Sequence, residues 1–227
     1  LRAEQQVMGD LKTVRRLFSE VGAGASDVAE LLAAATACQK HSPDPESAEA
    51  ARLAMLGLAV VGRHDEAEVW RARALIGAAA CGWRSGVGAL TVSLAMRLLA
   101  RENQDYAAGS RLDQIHGCAR AREILDAIWP LVEGDDNPPV GGPDQRTLRR
   151  FLQEKGGFLA LLDGDFDAAA SLYAQAVDQA HDQRGRVKSQ LGGALVAYLR
   201  ALDEGSETTS AISDTESLIL ELDGSSL

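Results

Sequence analysis

Gly156-Gly157-Phe158-Leu159-Ala160-Leu161-Leu162-Asp163-Gly164-Asp165-Phe166-Asp167-Ala168-Ala169, running on through Tyr173 to Ala176, decides the fold of this chain. It reads as two short helices folded against each other. Gly164 marks the turn. Small residues, Gly157 and Ala169, stand where the helices would cross, and aromatic residues fill the gaps between them. Each helix of such a hairpin has an apolar stripe that its partner covers only in part. A further hairpin stacked on the first would cover the remainder.

The rest of the chain reads the same way. Val7, Leu11, Val14, Leu17, Phe18 and Val21 recur every three or four residues and predict a first helix over 2–21. Asp27 and Glu30 have capping-box spacing and predict a second over 28–40. Asp44 can cap a third helix, over 46–61, with Pro45 in its first turn. Gly62 then turns the chain into a fourth, over 65–80. A fifth is expected over 85–101, with a stripe of Leu90, Leu94, Leu98 and Leu99. A sixth is expected over 105–129, with Leu112, Ile115, Ala119, Ile124 and Leu125 inward. The segment 133–143 carries too much proline and glycine for a helix. It is expected as a surface loop or a joint between helical layers, with a lid over a ligand as the sharper alternative. Helices resume over 144–162, 165–181, 185–202 and 211–222. The organisation expected is therefore N-terminal hairpins over 1–132, the loop 133–143, and C-terminal hairpins over 144–223 that continue the first part.

Composition agrees with an all-α chain. Of 227 residues, 46% are hydrophobic and 4% aromatic, and β-branched residues form no alternating runs. A net charge of −10 argues against non-specific nucleic-acid binding, which needs many phosphate-neutralising cations. Arg71 and Arg73, Arg120 and Arg122, and Arg146, Arg149 and Arg150 read as solvated surface or partners of nearby carboxylates. Cys38, Cys81 and Cys118 are odd in number and widely spaced, which predicts reduced thiols in a cytoplasmic protein. No apolar run has transmembrane length, so no membrane partner is expected.

The hairpin around Gly164 resembles the tetratricopeptide repeat, a helical hairpin of about 34 residues. The family's small first-helix residue falls on Gly157. Its alanines fall on Ala169 and Ala176, and its large packing residues on Phe166 and Tyr173. Ala160 is smaller than the family's usual residue, and Gln153 stands in place of an aromatic. A second hairpin, Ala48 to Leu75, keeps Gly62 at the turn, His64, Ala67 and Ala74. There Met55 replaces the small residue and Arg71 the bulky one. Gly62 and Gly164 lie three repeat lengths apart.

The resemblance implies an all-α, tetratricopeptide-like solenoid of stacked antiparallel hairpins. Its inner surface would receive an extended peptide or a helix from a protein partner. On the stronger hairpin that surface maps to Phe151, Glu154, Phe158, Leu161 and Leu162. On the weaker one it maps to Glu49, Arg52, Leu56, Ala59 and Val60. A groove so lined is mostly apolar, without the dense lysine and arginine of a carboxylate clamp. The four histidines are isolated in sequence, no helical metal motif recurs, and no nucleophile stands beside a base. No catalytic residue, metal or cofactor is expected. Two other readings stand beside the binding module. One is a regulatory or ligand-sensing domain of a larger bacterial signalling protein or transcription regulator, whose helical regions it also resembles. The other is a helical enzyme with a spatially assembled site.

Overall fold

The computed structural model describes residues 10–39, 44–103 and 115–224. These form ten α-helices, a short 3-10 turn at Trp129–Val132, and no strand. The helices are α1 (Leu11–Gly22), α2 (Val28–Ala37), α3 (Pro45–Val60), α4 (His64–Ala80) and α5 (Arg84–Glu102). After them come α6 (Cys118–Ile128), α7 (Gln145–Leu162), α8 (Phe166–Gln179), α9 (Gln183–Asp203) and α10 (Thr209–Gly224).

Aspartates start several of these helices. Asp27, Asp44, Asp165 and Asp182 each accept a hydrogen bond from a first-turn amide of α2, α3, α8 and α9. Each satisfies a donor that the helix itself leaves orphaned. Pro45 occupies the first turn of α3, where no amide is needed. Gly62 and Gly164 turn the chain with φ of 78° and 76°, a conformation that glycine adopts at little cost.

The expected sixth helix is shorter than its periodicity suggested. Residues 104–114, and Leu112 with them, lie outside the described residues, and helix starts only at Cys118. Ile115 to Gly117 are not helical. Gly117 has a φ of 85°, and the Asn103 side chain both donates to and accepts from the backbone of His116. Ala119 is exposed, while Ala121 and Leu125 face inward. Val7 and Lys40, in the first two expected helices, also lie outside the described residues.

The chain divides into two compact units, Leu1–Leu90 with Gly134–Asp144, and Thr91–Glu133 with Gln145–Leu227. The boundary within α5 falls after Leu90.

In the first unit α1, α2 and α3 pack on one another and α4 packs on α3. Val14, Leu31, Leu58, Ala67, Ala74 and Leu90 belong to its core and are 0–1% exposed. Gly57 leaves the space on α3 into which Leu31 presses. Arg71 is not solvated surface but, as the other expectation had it, a partner of a nearby carboxylate. It is buried and donates to the carbonyl of Leu90 at 3.0 Å, and to Glu68 at 3.1 Å. Arg73 lies over the Trp70 ring at 4.8 Å.

The proline- and glycine-rich segment is tied to this unit. The indole of fully buried Trp83 donates to the Pro143 carbonyl at 2.8 Å, and the Ser85 hydroxyl donates to the same oxygen at 2.7 Å. The Ser85 amide donates to Asp136, Asn137 donates to the Cys81 carbonyl, and Arg15 donates to the Val140 carbonyl. The segment is irregular because of its composition, yet anchored along its length.

In the second unit α7 packs on α8, α8 on α9 and α9 on α10, while α6 and the 3-10 turn pack on α7. One cluster joins Val92, Leu99, Leu125, Ile128, Leu148, Leu152 and Leu159. Another joins Ala160, Leu161, Ala169, Tyr173 and Val196.

Candidate functional site

Tyr173 of α8 organises the surface that α7, α9 and α10 present. Gly157 of α7 lies on one side of its ring. A methyl added there would stand 3.0 Å from Cε2 of Tyr173 and 3.4 Å from the Ala169 carbonyl. Gly192 of α9 lies on the other side, where an added methyl would overlap the ring. The ring therefore fills the space that two missing side chains leave. Burial pushes its phenol up to about 12, and the charge of Glu154 acts in the same direction.

Above this wedge lies a groove of about 470 Å³. Glu154 and Lys155 of α7 and Lys188 of α9 supply charge along it, and Leu191, Leu195 and Ile219 supply apolar surface. Glu154 accepts from the Ser189 hydroxyl at 2.7 Å, and Arg150 stands 3.8 Å from the same carboxylate oxygen. Burial lowers the pKa of Lys188, with Arg184, Arg150 and Lys155 adding repulsion and Glu154 opposing them. Glu154 thus has Arg150 and Lys188 as cationic neighbours, and Lys155 and Arg184 act on Lys188, on a chain of net charge −10. Such a surface can hold a segment that carries both carboxylates and apolar side chains.

The residues expected to line a partner surface fall into both units. Phe151 and Phe158 of α7 are half-buried and pack against the Leu148–Leu159 cluster. Leu161 and Leu162 are 2% and 7% exposed and belong to the interior. Glu154 lines the groove. On α3 of the first unit, Leu56 packs against the core, and Arg52 donates to Glu49 through two bonds of 2.6 and 2.9 Å. Glu49 is 1% exposed, so this pair, with Arg15 at 3.9 Å, serves a buried carboxylate. Val60 is exposed and Ala59 half-buried.

Lys155, Lys188, Leu191, Leu195 and Ile219 stand outside the positions that the resemblance maps, because each mapped surface belongs to a single helix. The groove needs α9 and α10 as well. Lys188, Leu191 and Leu195 have helical spacing in the sequence, and that spacing was the available signal.

Among the described residues, no group of three or more histidine, cysteine or acidic side chains could hold a metal ion. The three cysteines are free thiols. No described helix is long and apolar enough to cross a membrane. In comparisons with known proteins, the chain matches no family model and no curated protein.

Proposed function

We propose that the second unit is a tetratricopeptide-like module that binds a peptide or protein segment in the groove over α7, α9 and α10. The observation that carries this reading is the groove itself, with Lys155 and Lys188 beside Leu191, Leu195 and Ile219. The helix order supports it too. α7, α8 and α9 pack in sequence, α7 also touches α9, and the α7–α8 crossing is made close by Gly157. The ligand is an acidic segment with aliphatic or aromatic residues between its carboxylates. Ordered helices hold the groove open, so binding does not have to form it first.

The test is selection of random dodecapeptides on the full chain, followed by calorimetry of the enriched sequences. Enrichment of acidic, apolar peptides is expected, with affinity lowered about tenfold by Lys188→Glu. Basic or purely polar winners, or affinities indifferent to Lys188→Glu, would refute the reading. A ligand-sensing domain of a larger signalling protein is the second reading. The cleft between α6 and α8 is the observation that favours it.

A further inference from the structure

Elsewhere in the second unit, α6, α7 and α8 enclose a cleft of about 480 Å³. This is within the range of small-molecule sites. Each helix contributes one stripe. Leu125, Asp126 and Trp129 come from the end of α6 and the turn that follows, Leu152, Gly156 and Leu159 from α7, and Ala168 and Leu172 from α8. Gly156 and Ala168 keep the floor low, since an added methyl at Gly156 would already reach Leu172 at 3.4 Å.

The wall and rim determine what fits. Trp129 is 37% exposed and lines the wall. Three aspartates and one arginine line the cleft, namely Asp126, Asp163, Asp165 and Arg122. Arg122 pairs with Asp163 at 2.6 Å, and Asp165 caps α8 through the Ala168 amide. Asp126 is exposed, three residues before Trp129, and forms no ion pair among the described residues. On a helical register that spacing puts carboxylate and indole side by side. The lining thus carries three carboxylates against one guanidinium. Burial raises the pKa of the Cys118 thiol, and Asp163 raises it further against Arg122.

We propose that this cleft binds a small organic cation with an apolar body, an aryl- or alkylammonium. The body would fill the space over Leu152, Leu159 and Leu172, and the cationic head would stand between the Trp129 face and Asp126. An ammonium on an indole face is attracted by the ring quadrupole, and a neighbouring carboxylate adds to that attraction.

The probe is phenethylammonium, titrated into the full chain and followed by tryptophan fluorescence and calorimetry. Trp70 and Trp83 are 7% and 0% exposed, so a saturable change in emission reports Trp129. The result expected is binding at least tenfold tighter than that of uncharged 2-phenylethanol, and tighter still against 3-phenylpropionate. Asp126→Asn, at an exposed position, should weaken it at least fivefold, and added salt should weaken it as well. Ala168→Leu should abolish it by filling the floor. Lys188→Glu should leave it unchanged, which separates this cleft from the peptide groove. Equal affinity for the amine and the alcohol, indifference to Asp126→Asn, or no saturation by 10 mM would overturn the proposal.

Discussion

A single ring explains why two glycines stand where they do. Tyr173 occupies the space between α7 and α9, so Gly157→Leu should overpack that contact and cost about 1–3 kcal/mol. Gly192→Ala should also destabilise, because its methyl would overlap the ring. Gly193→Ala, with nothing within 4 Å, should instead stabilise by about 0.5–1 kcal/mol through helix propensity. Urea midpoints of the three variants check this pattern. Equal midpoints would remove the wedge as its cause. The phenol adds a pH signature. Its folded pKa of about 12 exceeds the usual 10, so between those values the unfolded chain has lost a proton that the folded one keeps. Stability should therefore be fully present below pH 10 and fall as pH rises toward 12. Tyr173→Phe should flatten that part of the fall. Phe158 is half-buried against the core, so Phe158→Ala should cost about 2 kcal/mol, below the range for fully buried phenylalanines. Gly157 was legible because it falls where the repeat resemblance places the small residue of the first helix. Gly192 was not, because the pair Gly192-Gly193 offers two candidates and only the register against Tyr173 distinguishes them.

At the scale of the helix, caps and breakers carried most of what the sequence disclosed. Asp44-Pro45 and the turns at Gly62 and Gly164 placed helix boundaries to within a residue or two, because each acts on its nearest neighbours. Asp182→Ala should remove the 2.6 Å bond to the Gly185 amide and cost about 1 kcal/mol, readable as a lower thermal midpoint. Asp182→Asn should retain most of it. The sixth helix shows the limit of periodicity. Ile115 and Ile124 fit one helical pattern, but Gly117 in a left-handed conformation and the Asn103 side chain break it. A glycine inside a helical pattern is compatible with either outcome until its φ is known. The buried Arg71 is a similar case. Its spacing put it at a packing position and its charge put it in solvent. The Leu90 carbonyl, nineteen residues away, resolves the conflict by accepting from the guanidinium.

At the scale of the whole chain, the all-helical character of the described residues was legible, and the grouping of helices was not. Composition and three-to-four-residue spacing are local properties. The union of Gly134–Asp144 with the first ninety residues depends on bonds between Trp83, Ser85 and a carbonyl some sixty positions later. The candidate groove was hidden for the same reason, since Glu154 meets Lys188 and Ile219 only after three helices have packed. Deleting Pro138 to Pro143 should therefore destabilise the first unit, shifting Trp83 emission to longer wavelength as the indole loses its acceptor and its cover. Unchanged emission and an unchanged melting profile would show that the segment is dispensable. The same tie has a consequence for birth order. A ribosome delivers residues 91–133, which belong to the second unit, before it delivers the strip that completes the first. The nascent chain must then hold Trp83 in an unfinished pocket while a piece of its neighbour emerges. The last stitch of the earlier unit waits on Pro143.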